Sequence, residues 1–134
     1  MGFKEENEIT NSTLVIDHFG YWPNFHDAEI ISIKFERTWD KSQSSAHMRV
    51  YAFEMTDKLN GNYYEQIKHC IIDIEFIGIN CNKMDGFNHQ NAIQGLNFGR
   101  EEAYLSCNID AAYGVDGYIE ASEIKVTNLD LVKD

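Results

Sequence analysis

The stretch "GYWPNFHDAEI", from Gly20 to Ile30, decides the fold because it joins a short helix to the first strand. It gathers large aromatic side chains, the only proline of the chain and a His-Asp-x-Glu set within eleven positions. Pro23 disfavours helical backbone at Trp22 and favours an extended conformation there. The stretch therefore predicts the point at which the chain leaves a helix and enters a strand.

The residues before this stretch predict one short helix. Its apolar positions have helical spacing: Leu14, Val15, His18 and Phe19. Asn11 or Ser12 can cap the start of this helix, and Gly20 can end it. One face of the helix is apolar, so we expect it to pack on the core.

After Ala28 the apolar period changes from the helical spacing to two. Ile31, Ile33 and Phe35 alternate with polar residues, which is typical of a half-buried strand. Asn60-Gly61 is a strong signal for a hairpin between a second and a third strand. Beyond the first strand, the pattern predicts strands at 47–55, 68–79, 92–99, 103–111 and 118–126. The segment 80–91 is predicted as a polar loop, and a bulge is predicted between Ala121 and Ile124.

Taken together, these elements predict a mainly β (α+β) protein of one domain, residues 1–134. We expect an antiparallel sheet of about six strands with one short N-terminal helix. The pattern leaves open whether the sheet is curled or sandwich-like.

The charge of the chain restricts its partners. Twenty-two acidic and eleven basic residues give a net charge of −11, and the excess is concentrated from Glu101 onward. This charge repels phosphate backbones and anionic membranes, and it attracts a basic partner. We therefore expect no nucleic acid and no membrane among the partners, and the oligomeric state is left open.

The hydropathy and the cysteines predict a cytoplasmic protein. The apolar runs are far shorter than the roughly 20 residues that span a bilayer, and the acidic N-terminus does not resemble a signal peptide. Cys70, Cys81 and Cys107 form no Cys-x-x-Cys pair. We expect buried thiols in a reducing compartment.

His26, Asp27 and Glu29 allow two interpretations. They could be a metal or acid-base centre, which would make the protein a metal-dependent hydrolase. In the structural interpretation Asp27 accepts bonds from backbone amides and His26 bridges to a carbonyl or carboxylate. The aromatic neighbours Tyr21, Trp22 and Phe25 would then close the open end of the core.

Other kinds of site have weaker signals. The chain has no Gly-rich phosphate loop, no Gly-x-Ser-x-Gly and no His-Glu-x-x-His, so we expect no cofactor, no bound metal and no catalytic residue. Tyr51, Phe53, Tyr63 and Tyr64 could form the platform of a small-ligand or carbohydrate-binding domain. Asp73 and Glu75 are predicted to face solvent.

"WPNFHDAEIISIKF", from Trp22 to Phe35, resembles the Trp-Pro-Ser-Phe-His-Asp-Ala-Glu start of the immunity protein 50 family. It departs at Asn24, where the family has Ser, and this change leaves the turn chemistry intact. The segments "HQNAIQGLNF" (89–98) and "AYGVDGYIEASEIKV" (112–126) look like later β segments of the same family.

The resemblance implies a non-enzymatic bacterial protein of a polymorphic toxin system, which binds and neutralises a cognate toxin in the cytoplasm. An acidic surface suits a basic toxin such as a nuclease. The structural motif comprises Trp22, Pro23, Phe25, His26, Asp27 and Glu29. The candidate partner-binding residues are Asp73, Glu75, Glu101, Glu102, Asp116, Glu120 and Glu123.

Overall fold

Six antiparallel strands form one sheet in the computed structural model, which describes residues 2–133, in the order β1-β2-β3-β6-β5-β4. The strands are β1 Glu29–Arg37, β2 Ser44–Asn60, β3 Tyr63–Asp85, β4 Ile93–Glu101, β5 Tyr104–Ala111 and β6 Asp116–Leu131. The predicted mainly β class is confirmed. The last strand in sequence lies between β3 and β5, so the sheet is not a simple meander.

Two short helices precede the sheet, α1 Glu5–Glu8 and α2 Thr13–Phe19. The predicted helix is α2, and Gly20 ends it with φ 90° and a hydrogen bond from its N–H to the carbonyl of Ile16 at 2.6 Å. The prediction of one helix was wrong, because α1 is a single turn with no apolar period to reveal it. Neither helix has the length and apolar character needed to cross a bilayer.

The core lies between one face of the sheet, here called the inner face, and helix α2. Helix α2 contributes Val15 and Phe19, which are 0% and 1% exposed. The fully buried residues of the strands include Ile30, Met48, Val50, Ile72, Ile74, Phe76, Cys107, Ile109, Ile119, Ile124 and Val126. The alternation predicted for β2, β3 and β5 therefore places the expected side chains in the core.

Strand β1 departs from the predicted alternation at its start. The pairing register with β2 shifts between Ile30 and Ser32, so a bulge interrupts the period of two. Ile30 is buried and Ile31 is 45% exposed. The expectation that Ile31 belongs to the core was wrong for this reason.

Strand β3 is longer than predicted, because the segment 80–85 is strand rather than loop. Its residues pair with β6 from Cys81–Glu120 to Asp85–Asp116. Most side chains there are exposed, so the sequence offers no apolar alternation to mark the strand. Cys81 is exposed, unlike the buried Cys70 and Cys107, and the expectation of three buried thiols was wrong for it.

The apolar period slips on β6 as predicted, since Ala121 and Ile124 are both buried. The pairing with β3 is continuous across these two residues, and the nearby register shift falls one step further on, between Ile79 and Cys81 of β3. Gly78 lies opposite this part of β6 with φ +71°, and a Cβ there would lie 2.2 Å from Ser122 Oγ. The apolar period therefore changes on both β3 and β6. The bulge predicted between Ala121 and Ile124 does not occur in their pairing.

Backbone hydrogen bonds link the two edges of the sheet at one end. Asp27 N–H donates to the carbonyl of Ile93 (2.9 Å), Ile93 N–H to that of Ala28 (3.0 Å), and Ile30 N–H to that of Asn91 (3.0 Å). Glu29 and Ala92 form a bridge at the same place. The single sheet is therefore curled, which answers the question that the sequence left open.

The side chain of Asn91 holds this junction together. It is 3% exposed, and its Oδ1 accepts hydrogen bonds from the N–H groups of Asn88 (3.0 Å) and Val115 (3.2 Å). Its Nδ2 donates to the carbonyls of Ile30 (3.3 Å) and Asn88 (2.7 Å). All four hydrogen-bonding positions of one buried amide are used, and three separate segments are joined.

Removing this amide should destabilise the protein strongly. Asn91→Ala leaves the N–H groups of Asn88 and Val115 and two carbonyls without their partner, so we expect a loss of about 2–4 kcal/mol in the free energy of unfolding. Urea denaturation followed by circular dichroism measures it. Asn97→Ala, on an exposed position of β4, is the control and should cost less than about 0.5 kcal/mol. A loss below about 1 kcal/mol for Asn91→Ala would contradict the role given to Asn91.

Candidate functional site

The motif at 24–29 forms a tight turn with unusual backbone angles. Phe25 and Asp27 have φ of 64° and 67°, a left-handed conformation that side chains other than Gly rarely adopt. Three hydrogen bonds hold the turn: from His26 N–H to Asn24 Oδ1 (2.9 Å), from Ala28 N–H to the Phe25 carbonyl (3.1 Å), and from Asp27 N–H to β4. The strain is therefore held in place by the edge junction of the sheet.

The polar side chains of the motif point to different partners. His26 Nδ1 lies 3.2 Å from the carbonyl of Gln94, as the structural interpretation predicted. Its Nε2 is 3.6 Å from the Asp27 carboxylate, and both side chains are about half exposed. Asp27 does not accept the backbone amides expected of it, because its own N–H takes the contact with β4 and its carboxylate points outward. Glu29 instead accepts from the Asn91 N–H (3.3 Å).

The metal-centre interpretation requires three of these ligands to converge. Among residues 2–133 no group of three or more His, Cys, Asp or Glu side chains is placed to hold a metal ion. Glu29 is directed to the Asn91 backbone while His26 is directed to β4. This arrangement ties two strands together, and it does not assemble the His26, Asp27 and Glu29 triad that a hydrolase would need.

The aromatic residues of the motif close the core as predicted, with one exception. Trp22 packs edge-to-face on Phe25 (ring centroids 5.7 Å apart) and on Phe98 of β4 (5.5 Å), and Phe25 is 3% exposed. Tyr21 is 48% exposed and donates a 2.6 Å hydrogen bond to Glu54 on β2. The expectation that Tyr21 caps the core was wrong, because its hydroxyl anchors it at the surface.

The opposite face of the sheet, here called the outer face, carries most of the candidate partner-binding residues. At its centre Asp73 lies 2.9 Å from Arg49 Nε and 3.4 Å from His47 Nε2. Hydrogen bonding to Asp73 raises the pKa of Arg49. Only 7% of the Asp73 side chain is exposed, so the expectation that it faces solvent was wrong: the side chains of Arg49 and His47 cover it.

The acidic excess lies towards β5 and the far ends of β3 and β6. We call this region the acidic end of the outer face, and its members are Asp85, Glu101, Asp110, Asp116 and Glu120. Asp85 and Asp116 are direct cross-strand partners, an unfavourable juxtaposition of like charges. They line a cleft of about 420 Å³ together with Lys83, Asn108 and Tyr118.

Hydrogen bonds hold some of these carboxylates in place. Tyr118 donates to Glu120 (2.5 Å), and so does Asn80 (2.9 Å). These two bonds, the one from Tyr118 first, lower the pKa of Glu120. Glu120 is thus held in its ionised form and fixed in position by its neighbours.

The seven partner-binding candidates do not form one patch. Glu101, Asp116 and Glu120 belong to the acidic end, and Glu102 lies beside it in the β4–β5 turn. Glu75 pairs in register with His47 and Lys125, so its surroundings are of mixed charge. Glu123 lies further along β6 and accepts a hydrogen bond from Thr10 (3.0 Å). The acidic excess predicted from Glu101 onward includes Asp110, but sequence reasoning did not find Asp85, which completes the acidic end.

The proposed aromatic platform is not assembled as a unit. Tyr51 and Phe53 are neighbours (centroids 6.0 Å apart), whereas Tyr63 and Tyr64 lie at the tip of the β2–β3 hairpin and are 79% and 51% exposed. A cleft of about 430 Å³ lies between the 21–26 segment and residues 53–55. Tyr63 and Tyr64 take no part in lining it.

These features define the class: a small curled-sheet protein whose 24–29 motif links β1 to β4 and whose outer face carries the charge. The family described as Immunity protein 50 matches residues 11–131. The chain belongs to the Immunity protein 50 family, and the resemblance seen in the motif is confirmed. No match was found among the curated proteins or the solved structures.

The motif offers a direct test of its architectural role. Phe25→Ala removes a buried ring and should lower the free energy of unfolding by about 3–5 kcal/mol. His26→Ala removes one hydrogen bond from a side chain that is 60% exposed and should cost about 1 kcal/mol or less. Urea titration of the two variants measures both. A larger loss for His26→Ala than for Phe25→Ala would refute this ranking.

Two tyrosines should titrate abnormally because each donates a hydrogen bond to a carboxylate. The bonds to Glu54 and Glu120 raise the pKa of Tyr21 and of Tyr118 to about 12. Since the folded pKa is raised, the stabilisation is complete below about pH 10 and is lost as the pH rises towards 12. Carbon-13 NMR of labelled tyrosine Cζ follows both. Glu54→Gln should return Tyr21 alone towards 10, and Glu120→Gln should return Tyr118 alone; each variant is the control for the other.

Proposed function

We propose that this chain is a non-enzymatic immunity protein that binds one cognate toxin in the bacterial cytoplasm and so blocks its activity. The observation that carries the proposal is membership of the Immunity protein 50 family over residues 11–131. An inhibitor needs a stable scaffold and a complementary surface, and no chemistry of its own. The architectural role of the His26 motif agrees with that requirement.

The proposed toxin is basic, and a nuclease is the kind of toxin that best suits the charge. A nuclease must attract a polyanion, so its active face is positively charged. The net charge of −11 accelerates encounter with such a face. The Asp85–Asp116 pair also supports a basic partner, since an approaching Lys or Arg side chain relieves the repulsion between the two carboxylates.

The residues that we propose as contacts follow from their exposure. Glu101, Glu102, Asp116, Glu120 and Glu123 act directly through their carboxylates, with Glu75 at the margin of the surface. Asp73 acts indirectly, because its buried carboxylate fixes Arg49 and His47 on the outer face.

Co-expression tests the function. The toxin gene adjacent to this chain's gene is induced in a bacterial host, with or without this chain. We expect the host to grow only when this chain is present. Full toxicity in the presence of folded, expressed protein would overturn the proposal for that toxin.

Charge substitutions test the surface. Asp85→Asn with Asp116→Asn should lower the association rate with an inactivated form of that toxin by about 3–10-fold and weaken its dependence on salt. The control, Glu6→Gln with Asp17→Asn, makes the same change in net charge at exposed positions of α1 and α2 and should change the rate by less than about 2-fold. Stopped-flow fluorescence at several ionic strengths measures both. Equal effects of the two pairs would refute the assignment of the acidic end.

A further inference from the structure

The β2–β3 hairpin extends beyond the rest of the sheet as a two-stranded arm, here defined as residues 53–69. The β1 pairing with β2 begins at Glu29–Tyr51, and the β6 pairing with β3 ends at Cys70–Leu131. Among residues 2–133 no third strand pairs with the arm on either side. At the base of the arm the Val132 N–H donates to the His69 carbonyl (3.1 Å). Beyond its base, a two-stranded hairpin is only marginally stable by itself, so its length calls for another explanation.

Apolar side chains follow one face of the arm. Tyr64 is paired with Leu59, and Gln66, two residues along the same strand, is paired with Met55. Side chains two residues apart on a strand share a face, and so do directly paired residues. Met55, Leu59 and Tyr64 therefore project together, with 43%, 64% and 51% exposure.

This apolar face continues the outer face of the sheet. Tyr51 and Phe53 precede Met55 at alternate positions of β2. Both rings contact the ring of His69, with centroids 5.8 and 5.7 Å from it. We call the five residues Tyr51, Phe53, Met55, Leu59 and Tyr64 the arm strip. The strip and the acidic end thus lie on the same face of the sheet, at opposite ends of β3.

The base of the arm is braced against helix α2. Lys68, with φ 60°, donates from Nζ to the Phe19 carbonyl (3.0 Å) and contacts Glu54 (3.4 Å). His18 Nε2 lies 2.8 Å from the Lys68 carbonyl, and Tyr21 donates to Glu54. These contacts hold the base of the arm in one direction, which lowers the entropy lost when it docks.

The charge of the arm separates it from the rest of the molecule. Glu54, Asp57 and Glu65 are nearly balanced by Lys58 and Lys68, whereas the whole chain carries −11. Interface centres are depleted in charge and enriched in tyrosine and methionine, and their rims are polar. The arm strip has the composition of such a centre, and the charged residues of the arm itself have that of its rim.

We propose that the arm strip is the apolar anchor of the toxin interface and sets the lifetime of the complex. The inference rests on the proposed function and extends it by assigning the hot spot. Its occupant is an apolar patch on the toxin, flanked by basic side chains. A second copy of this chain is the poorer occupant, because two surfaces of charge −11 repel each other.

The acidic end and the arm strip then have separable effects on binding. Rim charges act mainly on the association rate, while buried apolar and aromatic anchors act mainly on the dissociation rate. Substitutions in the arm strip should therefore shorten the lifetime of the complex without slowing encounter.

The test measures binding of the inactivated toxin from the adjacent gene by surface plasmon resonance. Leu59→Ser with Tyr64→Ser should raise the dissociation rate by at least about 30-fold and leave the association rate within about 2-fold. The matched control, Trp39→Ser with Tyr113→Ser, removes one tyrosine and one other apolar side chain that are 56% and 92% exposed; both rates should stay within about 2-fold. Tyr64→Phe keeps the apolar ring and should bind nearly as the original chain does.

The outcomes separate the two proposals. If the original chain binds and the arm variant, with an unchanged urea midpoint, dissociates at the same rate, the arm inference is overturned and the proposed function stands. If the arm variant is unfolded, the rates for Leu59→Ser alone decide in the same way. If the original chain does not bind the toxin, the proposed function fails and this inference fails with it. A dimer of the original chain in light scattering that the arm variant abolishes would assign the strip to a second copy and overturn the inference.

Discussion

The hydrogen bonds between residues 27–30 and 91–93 are the constraint on which the rest of the structure depends. They join the two edges of the sheet at one end, and the buried Asn91 amide fixes them to the 113–115 turn. Once the edges are joined, the inner face and α2 enclose the core. The side chains of the outer face then point away from the core. The separation of a sealed core from a charged outer face follows from this closure.

The same closure explains where the side chains of the His-Asp-x-Glu motif lie. Phe25 and Asp27 adopt left-handed backbone angles so that the chain can reach β4 and then enter β1. His26 and Glu29 follow that path and are used to bind β4 and Asn91. The family is thus recognised by residues that make its fold, while the residues that we propose as partner contacts lie on another surface.

The sequence predicted the features that depend on apolar periodicity along the chain. It did not predict those that depend on contacts between distant segments. Alternation located Met48, Val50 and Ile72 in the core because burial on one face imposes a period of two. Most side chains of the strand at 80–85 are exposed, so no apolar period revealed it. The burial of Asp73 arises from cross-strand Arg49, and the role of Asn91 from contacts with distant segments. No pattern along the chain encodes such contacts.

The position of β6 in the sheet has a consequence for the growing chain. Strands β4 and β5 are synthesised before the strand that attaches them to β3. On the ribosome, the β1–β2–β3 meander therefore waits with one long edge of β3 unpaired, including the strongly apolar segment around Ile72 and Ile74. Such an edge invites association with other chains. The edge of β3 thus stays open to such association until β6 has been synthesised.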